Sequence, residues 1–232
     1  MKFFAMVSLL AILVSGCNQS TAQKIDGAAS QLHMASQTTT EKTQTTAQGQ
    51  EENMELKTAT FAGGCFWCTE AVFLAVDGVD SVLPGYMGGH TDNPTYKDIC
   101  TGTTGHAEVI QIKYDAEKVS FEDLLFIFFK THDPTTLNRQ GNDVGTQYRS
   151  GVFYHDEEQK ESAEAIKKKI DESGYYGDAI VTEVTEAATM YVAEDYHVNY
   201  FNNNPGNGYC RAVIPAKLAK LKKLFGDKLK SQ

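Results

Sequence analysis

Tryptophan is almost missing from this chain: among 232 residues only Trp67 is one, against 12 phenylalanines and 11 tyrosines. Basic residues are also short, with 21 Lys and Arg against 30 Asp and Glu and a formal net charge of -9. That balance excludes a nucleic-acid partner, because phosphate binding needs clustered Lys and Arg. Long apolar runs are absent too. The longest stretch, Phe3 to Val14, is twelve positions, and a membrane-spanning helix needs roughly 20. Cysteine is scarce, with five in all. Setting Cys17 aside leaves Cys65, Cys68, Cys100 and Cys210, too few to staple a domain of this size, whose core can hold it without bridges. Those thiols are therefore available for chemistry. Finally, there is no second tight Cys or His pair to complete a zinc site begun by Cys65 and Cys68.

What is present begins with an export signal. Met1-Lys2 supplies a short basic start and Phe3 to Val14 an apolar core of secretory-signal length. The stretch ends Val14-Ser15-Gly16-Cys17, which resembles the bacterial lipobox, so residues 1–16 are expected to be removed and Cys17 lipidated. The expected location is outside the cytoplasm, anchored to a bacterial membrane on its periplasmic or cell-surface side. Residues 17–54 are rich in Gln, Thr, Ser and Ala with few large apolar side chains, the composition of a flexible tether. The folded domain is expected over 55–232.

Within that domain, Leu56 to Ala62 reads as a strand, Gly63-Gly64 as a turn and Cys65 to Val76 as a helix. Val79 to Tyr86 and His106 to Tyr114 read as strands. Ser120 and Asp123 form a capping-box pattern that opens a helix through Lys130. Tyr148 to Tyr154 reads as a further strand, and Asp156 caps a helix that ends near Ser173-Gly174. An edge strand is expected over Ala179 to Val184, and a C-terminal helix over Pro215 to Leu229. This order predicts an α+β fold of the ferredoxin-like, split βαβ type: a two-layer plait with helices on one face of the sheet and a long irregular C-terminal extension.

Cys65 falls where a strand turns through two glycines into a helix. Unpaired backbone N–H groups and the helix dipole stabilise a thiolate there, so a lowered pKa and a nucleophilic role are expected. Cys68 follows at i+3 on the same face, which permits a redox couple or half of a zinc site. A papain-like cysteine hydrolase, with His106 or His197 as base, is a third reading. Glu108 alternates onto the apolar face of its strand with Ile110, Ile112 and Tyr114, so its carboxyl should resist ionisation and suit a general acid. Tyr96 and Tyr148 sit at loop junctions, as hydrogen-bond donors to a substrate or as edge aromatics.

Taken together, Gly64-Cys-Phe-Trp67 with Glu70, Gly85-Tyr-Met-Gly-Gly-His90, Asn93-Pro-Thr-Tyr96, Thr104-Gly-His-Ala-Glu108, His132-Asp-Pro134, Gln140-Gly-Asn-Asp143, Gly145-Thr-Gln-Tyr-Arg149 and Ala193-Glu-Asp-Tyr-His197 resemble the methionine sulfoxide reductase A family. The resemblance spans roughly Leu56 to Phe225. It implies that Cys65 attacks the sulfoxide sulfur of the S epimer, that Phe66 and Trp67 hold the S-methyl group, and that Glu108 protonates the oxygen. It matches Tyr96, Tyr148 and Asp143 to the polar side of the same site. It implies a sulfenic acid on Cys65, a disulfide with a second thiol, recycling by thioredoxin or a similar dithiol, and no metal or organic cofactor. Substrates would be oxidised proteins and free methionine sulfoxide, and the expected state is a monomer. Cys210, in a glycine-rich tail, matches the family's recycling cysteine and is expected to resolve first, with Cys68 as alternative or relay. Many members have Gly where this chain has Cys68. Cys100 is read as structural.

Overall fold

The computed structural model describes residues 55–231. The expected signal segment 1–16, the lipidation residue Cys17 and the linker 17–54 lie outside them. In chain order the elements are β1 (Lys57–Gly63), α1 (Phe66–Leu74), β2 (Val79–Met87), α2 (Tyr96–Ile99), β3 (Ala107–Tyr114), α3 (Phe121–Thr131), the short β4 (Arg139–Gln140) and β5 (Asp143–Val144), β6 (Ser150–Tyr154), α4 (Glu157–Glu172), β7 (Glu183–Glu186), β8 (Tyr191–Val192), α5 (Tyr200–Asn203) and α6 (Gly208–Phe225). Six strands form one sheet in the order β7-β6-β1-β3-β2-β8. All its pairings are antiparallel except β6 with β7. The fold is α+β around a mostly antiparallel sheet.

Side-chain alternation decides which face of the sheet is thick. Ala59, Phe61, Ile110 and Ile112 point to the main core, beside Phe73 of α1 and Leu124 and Phe128 of α3. The Phe61 ring stacks on Phe128 at 4.9 Å and lies 5.6 Å from Phe73. Burying each such ring contributes roughly 1.5–3 kcal/mol. The other face carries a smaller cluster of Ala62, Met87, Ala107, Val109 and Phe153, covered in part by Ala187 and Met190. The α3 capping box forms as its sequence predicts, with Ser120 and Asp123 each accepting from the other's backbone N–H.

Several boundaries differ from the sequence reading. The expected irregular C-terminal extension holds the 18-residue α6, which ends at Phe225 rather than Leu229, and α1 spans Phe66–Leu74. Three further differences have a visible cause. Tyr148 belongs not to the strand but to a 3-10 turn, Thr146–Tyr148, opened by Gly145 at φ 148, and the strand begins at Ser150. The edge strand starts at Glu183 rather than Ala179, because upstream N–H groups bond elsewhere: Ile180 to Asp171 Oδ1 at 2.9 Å and Val181 to the Pro134 carbonyl at 2.8 Å. The last helix starts seven residues before the expected Pro215, since Asn207 accepts from the Cys210 N–H at 3.0 Å and caps it. Pro215 lies inside this helix and deprives only the solvent-exposed Arg211 of an intrahelical partner.

Candidate active site

The β1–α1 turn sets the position of Cys65. Gly64 holds φ +84, and a Cβ there would stand 2.4 Å from Gln140 Cγ, so glycine both makes the turn and admits the β4–β5 hairpin. Cys65 becomes the N-cap of α1, with φ -50 and ψ 120, outside the helix proper. It is 8% exposed and packs with Cys68, Ala71, Cys210 and Ile214.

The expected lowering of the Cys65 pKa is not what this site produces. The neighbouring Cys68 sulfur, burial and the negative field of Glu108 together push the Cys65 thiol well above its ordinary value, outweighing the Trp67 N–H that points at it. Cys68 moves the other way: the Cys65 thiol hydrogen-bonds its sulfur and the Lys217 ammonium attracts its charge, against burial. The proton of the pair is therefore held more tightly by Cys65 than by Cys68.

Glu108 lies 1% exposed on β3, paired in register with Tyr86 of β2. Its Oε2 accepts the Phe66 N–H at 2.9 Å, which fixes it beside the first residue of α1. Burial pushes its pKa up to about 8, helped by the charges of Asp143 and Cys68 and opposed by that N–H. The carboxyl is thus protonated at neutral pH, as its place on the apolar face predicts.

Beyond it lies an aromatic box. Phe66 is fully buried, 6.2 Å from Tyr96 and 5.9 Å from Tyr86. Trp67 stacks on Tyr200 at 3.9 Å with planes 9° apart, and its Nε1–H donates to His197 Nδ1 at 2.9 Å. Glu70, buried on α1, accepts from the N–H groups of Asn199 (2.6 Å) and Tyr200 (3.2 Å), so the segment carrying Tyr200 is pinned against Trp67. Tyr96 and Tyr148 are half-buried. Burial first and Glu108 second raise both phenols, which keeps them as donors.

A cavity of about 400 Å³ opens beside Cys65 and Cys68, lined also by Asp143, Tyr209, Val213 and Lys217. Tyr209 donates to Asp143 Oδ2 at 2.5 Å and sits 3.8 Å from Cys68 Sγ. Cys210 is in the first turn of α6 and fully buried, not in a loop, and burial pushes its pKa up to about 11. Cys100, read as structural, is exposed at the end of α2.

The hydrolase reading lacks a base. His106 accepts from Gly89 N–H at 3.0 Å and places Nε2 2.8 Å from the Thr91 carbonyl, and His197 uses Nδ1 on Trp67. Among the described residues no group of three or more His, Cys, Asp or Glu side chains is arranged to hold a metal ion. A family model described as peptide methionine sulfoxide reductase matches residues 57–229. The chain belongs to the peptide methionine sulfoxide reductase family. It is 54% identical over 175 residues to peptide methionine sulfoxide reductase MsrA of Natronomonas pharaonis, a match covering 75% of this chain and 98% of the relative. To the MsrA of Deinococcus radiodurans it is 51% identical over 187 residues, covering 81% and 91%. Among solved structures, reduced Mxr1 from Saccharomyces cerevisiae aligns with TM-score 0.62 at 35% identity, covering 68% of this chain and 91% of that one. Methionine sulfoxide reductase A of Corynebacterium diphtheriae aligns at 0.59 and 35%, covering 66% and 76%.

Within this reductase, the structure gathers Cys65, Cys68 and Cys210 into one apolar cluster and sets Phe66, Trp67 and Tyr96 around His197. Four contributors were not legible as site residues: Tyr200, Tyr209, Glu70 and Lys217. Tyr209 adjoins Cys210 and Glu70 stands inside a recognised motif, but only packing shows what either touches. Lys217 has no sequence signal beyond its place on a helix.

Proposed function

We propose that this chain reduces the S epimer of methionine sulfoxide, free or in oxidised proteins, to methionine. The carrying observation is a buried carboxylic acid, Glu108, protonated at neutral pH and fixed by the Phe66 N–H beside a paired thiol. The substrate's S-methyl group fits against Phe66 and Trp67, with Tyr96, Tyr148 and Asp143 on the polar side. The Cys65 sulfur bonds the sulfoxide sulfur while its proton passes to Cys68, and Glu108 protonates the oxygen. Methionine leaves, the oxygen stays on Cys65 as a sulfenic acid, and sulfur has been reduced by two electrons. Cys68 or Cys210 then condenses with it to a disulfide, which thioredoxin or a similar dithiol reopens.

The strand order β6-β1-β3-β2, with α1 and α3 as connections, supports reading the core as a ferredoxin-like split βαβ plait. The lipobox-like Val14-Ser15-Gly16-Cys17 supports repair of exported proteins by a chain tethered through Cys17 to a bacterial membrane. The deciding assay measures methionine formed from each sulfoxide epimer with dithiothreitol as reductant. We expect turnover of the S epimer and none with Cys65→Ser; multiple turnover by Cys65→Ser would end the assignment.

A further inference from the structure

Lys217 lies two helical turns after Cys210 on α6 and lines the cavity that holds Cys65 and Cys68. Its ammonium donates to the Thr131 carbonyl at 3.0 Å. Thr131 is the last residue of α3, and the negative end of a helix dipole favours a cation there. The charge is thus anchored next to the thiol pair. The groups that act on Cys68 come from every element around it: Cys65 at the α1 cap, Glu108 on β3, Asp143 on β5, and Tyr209, Cys210 and Lys217 on α6. Burial first, and Lys220 one turn on, lower the Lys217 pKa, while the charges of Cys68, Cys65 and Asp143 oppose them. Of these charged groups only the two lysines are positive, and Lys217 is the one at the cavity wall.

We propose that Lys217 is a positioning residue for the thiol chemistry: its ammonium, anchored on the Thr131 carbonyl at the wall of the cavity that Cys65 and Cys68 share, favours Cys68 as the thiol that closes the first disulfide on Cys65, with Cys210 entering afterwards. The proposal rests on the sulfoxide reductase reading above. In the closing step the Cys68 sulfur bonds the Cys65 sulfur and the Cys65 S–O bond breaks. The leaving hydroxide takes the proton that Cys68 received from Cys65, and water departs. The sulfoxide has already supplied the oxidising equivalents. Because Cys65 is the N-cap, at ψ 120 rather than a helical value, closure is not a bridge between two helical residues and escapes that strain. Burial and the negative field of Cys68 suppress the Cys210 thiolate, so it is the slower attacker while α6 stays folded.

The test uses the full reduced chain and its Lys217→Met and Lys217→Arg variants. Alkylation by iodoacetamide across pH, resolved by mass spectrometry, reads the Cys68 midpoint. Removing an opposite charge raises it by about one pH unit or more, so Lys217→Met should lower the Cys68 thiolate fraction at neutral pH, by up to about tenfold. The higher intrinsic nucleophilicity of the more basic sulfur offsets part of this, leaving disulfide closure after a single turnover slower by up to about threefold. Lys217→Arg should restore both. An unchanged midpoint and closure rate in Lys217→Met, or a first disulfide between Cys65 and Cys210 in the wild type, would overturn the proposal. Failure of the underlying reading shows separately, as no methionine released by the reduced wild type.

Discussion

Replacing Glu108 by Gln tests the acid directly while sparing the fold. The amide oxygen of Gln still accepts the Phe66 N–H, so the β3–α1 contact survives. What disappears is a transferable proton. Burial raises the Glu108 carboxyl from 4.5 to about 8, which at 1.36 kcal/mol per pH unit corresponds to about 5 kcal/mol against ionisation. The site has placed its acid close to the operating pH, where general acid catalysis is most effective and contributes roughly 10²–10⁴ in rate. We expect kcat/KM of Glu108→Gln for methionine sulfoxide to fall by about that factor at pH 7. In the wild type, activity should decline on the alkaline side through a limb near pH 8, and the variant should lack that limb. Stability supplies an independent check. Between about pH 4.5 and pH 8 the folded state keeps a proton that the unfolded chain has lost, so stability must fall as pH rises across that window. Denaturation midpoints of the wild type should therefore decline from pH 5 to pH 9 more than those of Glu108→Gln. Full activity in the variant, or an alkaline limb that persists in it, would refute the acid role.

Trp67→Phe keeps an aromatic wall but leaves His197 Nδ1 without its donor in a dry site, at a cost of about 1–3 kcal/mol; urea denaturation should show this loss, and kcat/KM should drop with it. Glu70→Gln cannot accept from both Asn199 and Tyr200, so the stack over Trp67 should loosen. Because Trp67 is the sole tryptophan, its emission reports this change directly, and an unaltered spectrum would remove the clamp role from Glu70. Gly64→Ala forces a side chain onto φ +84 and into Gln140; thermal unfolding should show a loss of more than about 1 kcal/mol, with displacement of the β4–β5 hairpin.

Much of the site was legible because its residues are conspicuous as types. A carboxylate on an alternating apolar strand face predicts a raised pKa from period alone, and Glu108 has one. The Ser120–Asp123 box predicts its helix for the same reason: both partners lie within four positions. The errors have a common cause. Tyr148, the Ala179 edge and the start of α6 each turn on backbone groups bonded to something unannounced nearby, whether a positive-φ glycine, the Asp171 side chain or the Asn207 cap. The Cys65 pKa is the instructive case. Cys65 does stand at the helix terminus, but Cys68, burial and Glu108 outweigh the Trp67 N–H and raise its thiol.

Local sequence by itself determined which side chains stand at the β1–α1 turn, the α+β alternation and the apolar face of β3, because propensity, capping and period act over a few residues. Tertiary structure alone decided in which direction each thiol of the pair is shifted and which residues hold the aromatic box. Glu108 is 42 residues from Phe66, His197 is 130 from Trp67 and Tyr209 is 141 from Cys68. Desolvation and Coulomb interactions depend on distance in space, and that distance exists only once the sheet and α6 have closed around Cys65.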